Sequence, residues 1–286
     1  MNLDDLATAS SYTPEGLGLI RTACLTLAGV LGDLMEKEIT IVGGFVPSLI
    51  IDQERLPVGA DPHPGTMDLD LALQLAVLES GGYKDIAQRL REAGFQPDTN
   101  ARGNPTVQRW VMEIGTERVT VDFLIPPVGG DGRMRVFHLE GDFGALISPG
   151  LDMAFRDRMI HRLEGVDAYG DRLARDVWVC GPGALVVLKA LACRGRNKPK
   201  DAFDLYYVLR NYENGPGDVA ERLRPWTEVD AVRRAVDILG SDFADISRIG
   251  PRRAARFLGM DDDPELQAQV VALVADFLDA LGSERA

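Results

Sequence analysis

The chain has 286 residues, 45% of them hydrophobic, and a formal net charge of −13 at pH 7. That length and apolar content suit one large domain or two ordinary ones. The acidic balance excludes a protein that coats nucleic acid with its whole surface, though not one with a local basic groove. No apolar run approaches the roughly 18 to 20 residues that span a membrane. The opening MNLDDLATASSYT has neither the basic nor the apolar region of a secretory signal. Cys24, Cys180 and Cys193 lack metal-ligand spacing and read as reduced thiols of a cytoplasmic protein. The scattered His63, His138 and His161 argue against a histidine zinc site or a catalytic triad. Mg²⁺ held by carboxylates is the metal chemistry this composition best allows. There is no internal repeat, and a monomer is the default.

In chain order, Thr13-Pro14 predicts a helix start, and Leu17, Ile20, Cys24, Leu27, Leu31 and Leu34 carry the helix to about Lys37. ITIV (39–42) predicts a strand, followed by Gly43-Gly44 and a short helix in FVPSLII. The Pro- and Gly-bearing stretch 52–66 is a loop, and MDLDLAL (67–73) is a strand. SGGYKDIAQRLREAG is a helix closed by Gly94. TVQRWVMEI and RVTVDFLI form a hairpin around Gly115-Thr116, ended by Pro126-Pro127 and Gly129-Gly130. The stretch 131–175 is less regular, and VWVC (177–180) is a further strand. After Gly181 the chain turns helical in ALVVLKALA, KDAFDLYYVLRN, DAVRRAVDIL and PELQAQVVALVADFLDAL. The expected fold is α+β: a mixed sheet with flanking helices over 1–150, then a mainly helical domain over 151–286.

Asp68 and Asp70 share one strand face, about 7 Å apart by strand rise. An isolated D-x-D is otherwise a wet strand edge, but two such anions also suit one or two divalent cations. Asp122, again an acid inside an apolar strand, makes a third, with no basic residue nearby. Gly43-Gly44 between a strand and a helix is either a tight turn or a place where backbone N–H groups meet a phosphate, with Ser48 adding a hydroxyl. Lys189 interrupts an apolar helix, as a snorkelling lysine or as a phosphate-binding cation. Asp201 and Asp204 open the next helix, where acids suit the dipole without further function. Arg194, Arg196, Lys198 and Lys200 form a basic cluster, a solvated loop or a nucleic-acid or triphosphate contact.

The order strand, Gly-Gly, helix, loop, D-x-D strand, third acidic strand resembles the polymerase-beta-type nucleotidyltransferases. More narrowly, GGFVPSLI, TMDLDLAL and LKALACRGRNKPKDAFDLYYVL resemble the AbiEii/AbiGii toxin family over about residues 40–210. The resemblance implies a toxin of a type IV-like toxin–antitoxin or phage-defence system, with an antitoxin partner. It implies Mg²⁺ on Asp68, Asp70 and Asp122, with Asp122 also able to deprotonate the acceptor. It implies an NTP bound by Gly43, Gly44, Ser48, Thr66 and Lys200. Lys189 would neutralise the leaving pyrophosphate, oriented by Asp204 or less readily by Asp201. An RNA 3′ hydroxyl, as in tRNA, is the implied acceptor. A small molecule such as an aminoglycoside, a protein side chain, or non-catalytic binding of nucleotide or antitoxin are the alternatives. The sequence departs from the family pattern at His63-Pro64-Gly65, where an Arg or Lys often precedes T-x-D-x-D.

Overall fold

The computed structural model describes residues 7–74, 82–128, 135–140 and 143–283. The expected helix positions Ser80-Gly81 and the stop at Gly129-Gly130 lie outside them. The chain forms two compact units. One comprises residues 14–46 and 65–180, the other residues 1–13, 47–64 and 181–286. This differs from the contiguous split 1–150 and 151–286. The strands up to Cys180 belong to the sheet, and the loop before the D-x-D strand belongs with the helices.

The sheet unit opens with α1 (Pro14–Leu31). The helix does not run on to Lys37: Gly32, at φ 50°, breaks it, and α2 (Asp33–Lys37) follows. The expectation that no apolar run reaches membrane-spanning length is corrected here: among the described helices α1, with 18 residues, is long and apolar enough by length and composition. It packs on the sheet through Ile20, Ala23, Cys24, Leu27 and Leu31, all buried, which is the behaviour of a core helix.

Among the described residues, nine strands form one mixed sheet. They are β1 (Ile39–Val42), β2 (Asp68–Leu73), β3 (Gln96–Thr99), β4 (Pro105–Ile114) and β5 (Glu117–Ile125). β6 (Val136–Glu140), β7 (Phe143–Ile147), β8 (Arg158–Val166) and β9 (Arg172–Cys180) complete it. The main path runs β3-β4-β5-β2-β1-β9-β8, with β7 joining β5 and β6 joining β7. The stretch expected to be irregular therefore supplies three strands, β6 to β8, and the first residues of β9, whose end is the expected VWVC strand. Its Arg and Gly residues suit the wet edge strand β8, whose positions are mostly part-exposed or exposed. The unit also holds α4 (Gly82–Glu92), after which Gly94 takes the expected left-handed conformation, and α5 (Met153–Arg156).

β2 lies between β1 and β5, antiparallel to the first and parallel to the second. Its alternation buries Leu69 and Leu71 completely and leaves Asp68 and Asp70 part-exposed. The sheet's core holds Trp110, Phe123 and Phe143, with ring centroids 5.2–6.0 Å apart.

The other unit contains α3 (Pro47–Ile50), α6 (Pro182–Gly195), α7 (Pro199–Asn211) and α8 (Pro216–Leu223). It continues with α9 (Asp230–Asp242), α10 (Ile249–Phe257) and α11 (Pro264–Gly282). The four predicted helices all form. α8 and α10 were not anticipated, being short and charge-rich. Five of these helices, α3, α6, α7, α8 and α11, have Pro as their first residue, where its missing N–H costs nothing. The loop 51–63 is tied to this unit through Gln53. Its Oε1 accepts from the Tyr207 hydroxyl at 3.0 Å and from the His63 backbone N–H at 2.8 Å.

Candidate active site

In the sheet unit, strand register assembles the acids. Asp70 pairs with Asp122 across the parallel β2–β5 ladder and with Val42 across β1–β2. Paired residues share a face, and i, i+2 residues do too. Asp68, Asp70 and Asp122 therefore converge, and each has an oxygen within 4.8 Å of the others'. All three are intermediate in burial. The Thr66 side chain, itself buried, donates its hydroxyl to Asp68 Oδ1 at 2.9 Å and so orients that carboxylate.

Gly43 follows Val42 directly, at φ 76°, and opens the 3₁₀ turn Gly43–Phe45 that also buries Gly44. A Cβ on Gly43 would overlap Asp70 Oδ2 and lie 2.8 Å from its Cγ. The glycine is thus required twice, by its left-handed backbone and by the carboxylate lying against it.

The expectation that no basic residue lies near the acids is corrected. Arg109 on β4 pairs in register with Asp122, donating Nε to Oδ1 at 2.8 Å and Nη2 to Oδ2 at 2.6 Å. This fork-to-fork geometry is the strongest form of such a pair. The Asp122 carboxylate, with support from Asp68 and Asp70, pushes the guanidinium above its ordinary range despite partial burial. Arg109 is thus a resident cation for the whole triad. The hairpin already encoded it. Ile114 and Glu117 flank the turn, and five residues further out on each arm stand Arg109 and Asp122.

The remaining predicted residues lie in the helical unit. Ser48 sits part-exposed on α3. Lys200, Asp201 and Asp204 share the buried face of α7, and Lys189 reaches them from α6. The Lys189 ammonium lies 2.9 Å from Asp201 Oδ1 and 2.6 Å from Asp204 Oδ2. Lys200 donates to both Asp204 oxygens, at 2.7 and 3.0 Å. Arg196 closes on Asp201 with two bonds, at 2.7 and 2.9 Å. His63, in place of the family's frequent Arg or Lys, is buried, and its Nε2 bonds Asp204 Oδ1 at 2.9 Å.

Burial alone would raise the two carboxyls, yet Lys189, with Arg196 at Asp201 and Lys200 at Asp204, holds both below the usual range. Asp201 comes to about 2. Burial would likewise lower Lys189, but Asp204 and Asp201 more than reverse this. For Lys200, burial prevails and the ammonium is lowered. Burial, reinforced by Lys200, depresses His63 to about 4, so the ring is neutral at pH 7 and its Nε2–H donates to Asp204. A buried network of this kind costs desolvation and is stable only when fully paired.

Acids converging beside a glycine turn suit group transfer from a nucleotide, whose phosphates need both a cation and close backbone approach. The mixed sheet with this face defines a nucleotidyltransferase. Residues 65–283 match the family described as nucleotidyl transferase AbiEii toxin of type IV toxin–antitoxin systems, and the chain belongs to that family. The match includes the helical region out to residue 283, beyond the stretch that carries the sequence resemblance, and begins after the Gly43-Gly44 turn. None of the curated proteins matches the chain.

Two outcomes follow. Gly43→Ala is expected to cost about 1–2 kcal/mol in urea unfolding, the penalty of a left-handed alanine. It should lower nucleotidyl transfer more than tenfold, because the Asp70 carboxylate must move. For His63, the folded value lies below the ordinary 6.5, so the unfolded chain takes up the proton first. Stability therefore falls as pH drops from about 6.5 towards 4, by about 2 kcal/mol at pH 5. Urea midpoints measured from pH 7 to 5 should fall less steeply in His63→Gln.

Proposed function

We propose that the chain transfers a nucleoside monophosphate from an NTP to the 3′ hydroxyl of an RNA, with a tRNA acceptor end as the first candidate, and that it depends on Mg²⁺. The observation that carries this reading is the convergence of Asp68, Asp70 and Asp122 within 4.8 Å beside Gly43. An all-oxygen donor set suits Mg²⁺, and the space next to Asp70 is one that any side chain at residue 43 would fill. Asp68 and Asp70, with Asp122 as the third carboxylate of the set, would hold the ion, which when bound neutralises phosphate charge and polarises the phosphoryl oxygens.

The acceptor oxygen bonds to the α-phosphorus, the bond from that phosphorus to the bridging oxygen breaks, and pyrophosphate leaves with the electron pair. The acceptor's proton passes to a carboxylate, a role for Asp122 once Arg109 has released one of its two oxygens. Thr66 fixes Asp68, and the Gly43-Gly44 backbone receives the triphosphate. Ser48 is retained as a further hydroxyl for the nucleotide. Lys189 is assigned to the leaving pyrophosphate, with Asp204 as its positioning residue; the 2.6 Å pair between them supports the second assignment. Lys200, held by both Asp204 oxygens, positions the same carboxylate. The family supplies a further expected partner, an antitoxin.

Incubation with each of four α-labelled NTPs and total tRNA tests this reading. Label is expected on RNA, and Asp70→Ala or a chelator should reduce it at least a thousandfold. Label on a small molecule or on protein instead would overturn the acceptor assignment and leave nucleotidyl transfer standing. Arg109 provides a second test, on metal binding alone. Removing its charge should tighten Mn²⁺ binding roughly tenfold by Coulomb attraction. Titration calorimetry of Arg109→Gln without nucleotide reads this out, and equal or weaker binding would count against a metal at the triad.

A further inference from the structure

The basic cluster at 194–200 is largely spent inside the helical unit. Arg194 pairs with Asp242, Arg196 with Asp201 and Lys200 with Asp204. A second set of cations, on α10, is not. Arg252, Arg253 and Arg256 are spaced to share one side of that helix, where like charges at i, i+3 and i, i+4 cost helix stability. Arg252 is exposed and has no hydrogen bond or ion pair among the described residues. Arg253 is held by neutral acceptors, the Cys193 carbonyl at 2.5 Å and Asn197 Oδ1 at 2.7 Å, which fix its guanidinium without cancelling its charge. Arg256 has only an exposed 3.3 Å pair with Asp261, a contact that solvent screens.

These three arginines line a groove of about 440 Å³ together with Asn197, Ser247, Ile249 and Asp261. We infer that this groove binds the phosphate backbone of RNA. The guanidinium fork matches phosphate oxygens, and Arg253 is ordered in advance. The charge is local, in a chain of net charge −13. An acidic protein partner fits less well, because protein interfaces centre on apolar or aromatic anchors and Ile249 is the one apolar residue lining the groove. The inference rests on the RNA-acceptor reading above and gives that substrate a place to dock.

Fluorescence anisotropy with end-labelled tRNA, full-length protein and no NTP tests it without chemistry. The double variant R252E/R256E is expected to bind at least tenfold more weakly than wild type. Arg252→Gln alone touches no partner and should keep the fold. It should make the slope of log K against log salt shallower by about 0.7 to 0.9, one phosphate contact. A control, R233E/R234E on α9, carries the same net charge change and should bind as wild type does. If both double variants lose affinity equally, the effect is one of overall charge and the groove assignment falls. If wild type binds tRNA and the groove variants bind it equally well, the groove assignment falls while the RNA reading stands. If wild type binds no tRNA, both fall.

Discussion

Three carboxylates on one sheet face repel one another, and the sheet unit is arranged around that repulsion. The strand ladders force Asp68, Asp70 and Asp122 together, so their separation cannot relax without losing register. Arg109 relieves the crowding from one side by taking both oxygens of Asp122. Thr66 takes one oxygen of Asp68. Around Asp70 the backbone of Gly43 leaves room where every other residue would intrude. The charge left over, that of Asp68 and Asp70 once Arg109 has paired with Asp122, is what a nucleotidyltransferase turns to use.

The helical unit handles charge in the opposite way. Lys189, Lys200, Asp201, Asp204 and His63 are buried, and each carboxylate oxygen in the group has a donor. Such a network is brittle, since loss of one member leaves an uncompensated buried charge. It also joins segments distant in sequence: His63 comes from the loop before β2, and Lys189 and Asp204 come from α6 and α7. The loop before β2 is thereby anchored to the helices at Gln53 and His63.

Much of this was legible in the sequence, for definable reasons. The β2 acids announced themselves by alternation, and the four long helices by apolar spacing. The Gly115-Thr116 turn gave the hairpin, but its register was not carried out to Arg109, and so the cation paired with Asp122 was missed. Other features left no local trace. β8 is half wet, so its alternation is blurred by Arg, His and Glu. The break at Gly32 falls inside a run of apolar spacing that continues to Leu34. His63 carries no motif, and its partner lies 141 positions away. The arginines of α10 look like an ordinary solvated helix face until their partners are counted.

The division into units has a consequence for how the chain can be made and cut. The backbone passes from one unit to the other at 13–14, 46–47, 64–65 and 180–181. Neither unit is a contiguous stretch, so no single cut releases either one whole. During synthesis β1 and β2 emerge long before β9, which pairs alongside β1. Gln53 and His63 emerge earlier still than Tyr207 and Asp204. The nascent chain must therefore carry a half-built sheet until Cys180 leaves the ribosome, and a half-built helical unit until residues near 210 do. A shortened product ending before Cys180 would have the three acids but neither a finished sheet nor the buried charge network, and one ending between Cys180 and Asp204 would still lack the network. The sheet face that carries the three acids is thus finished only after most of the chain has been made.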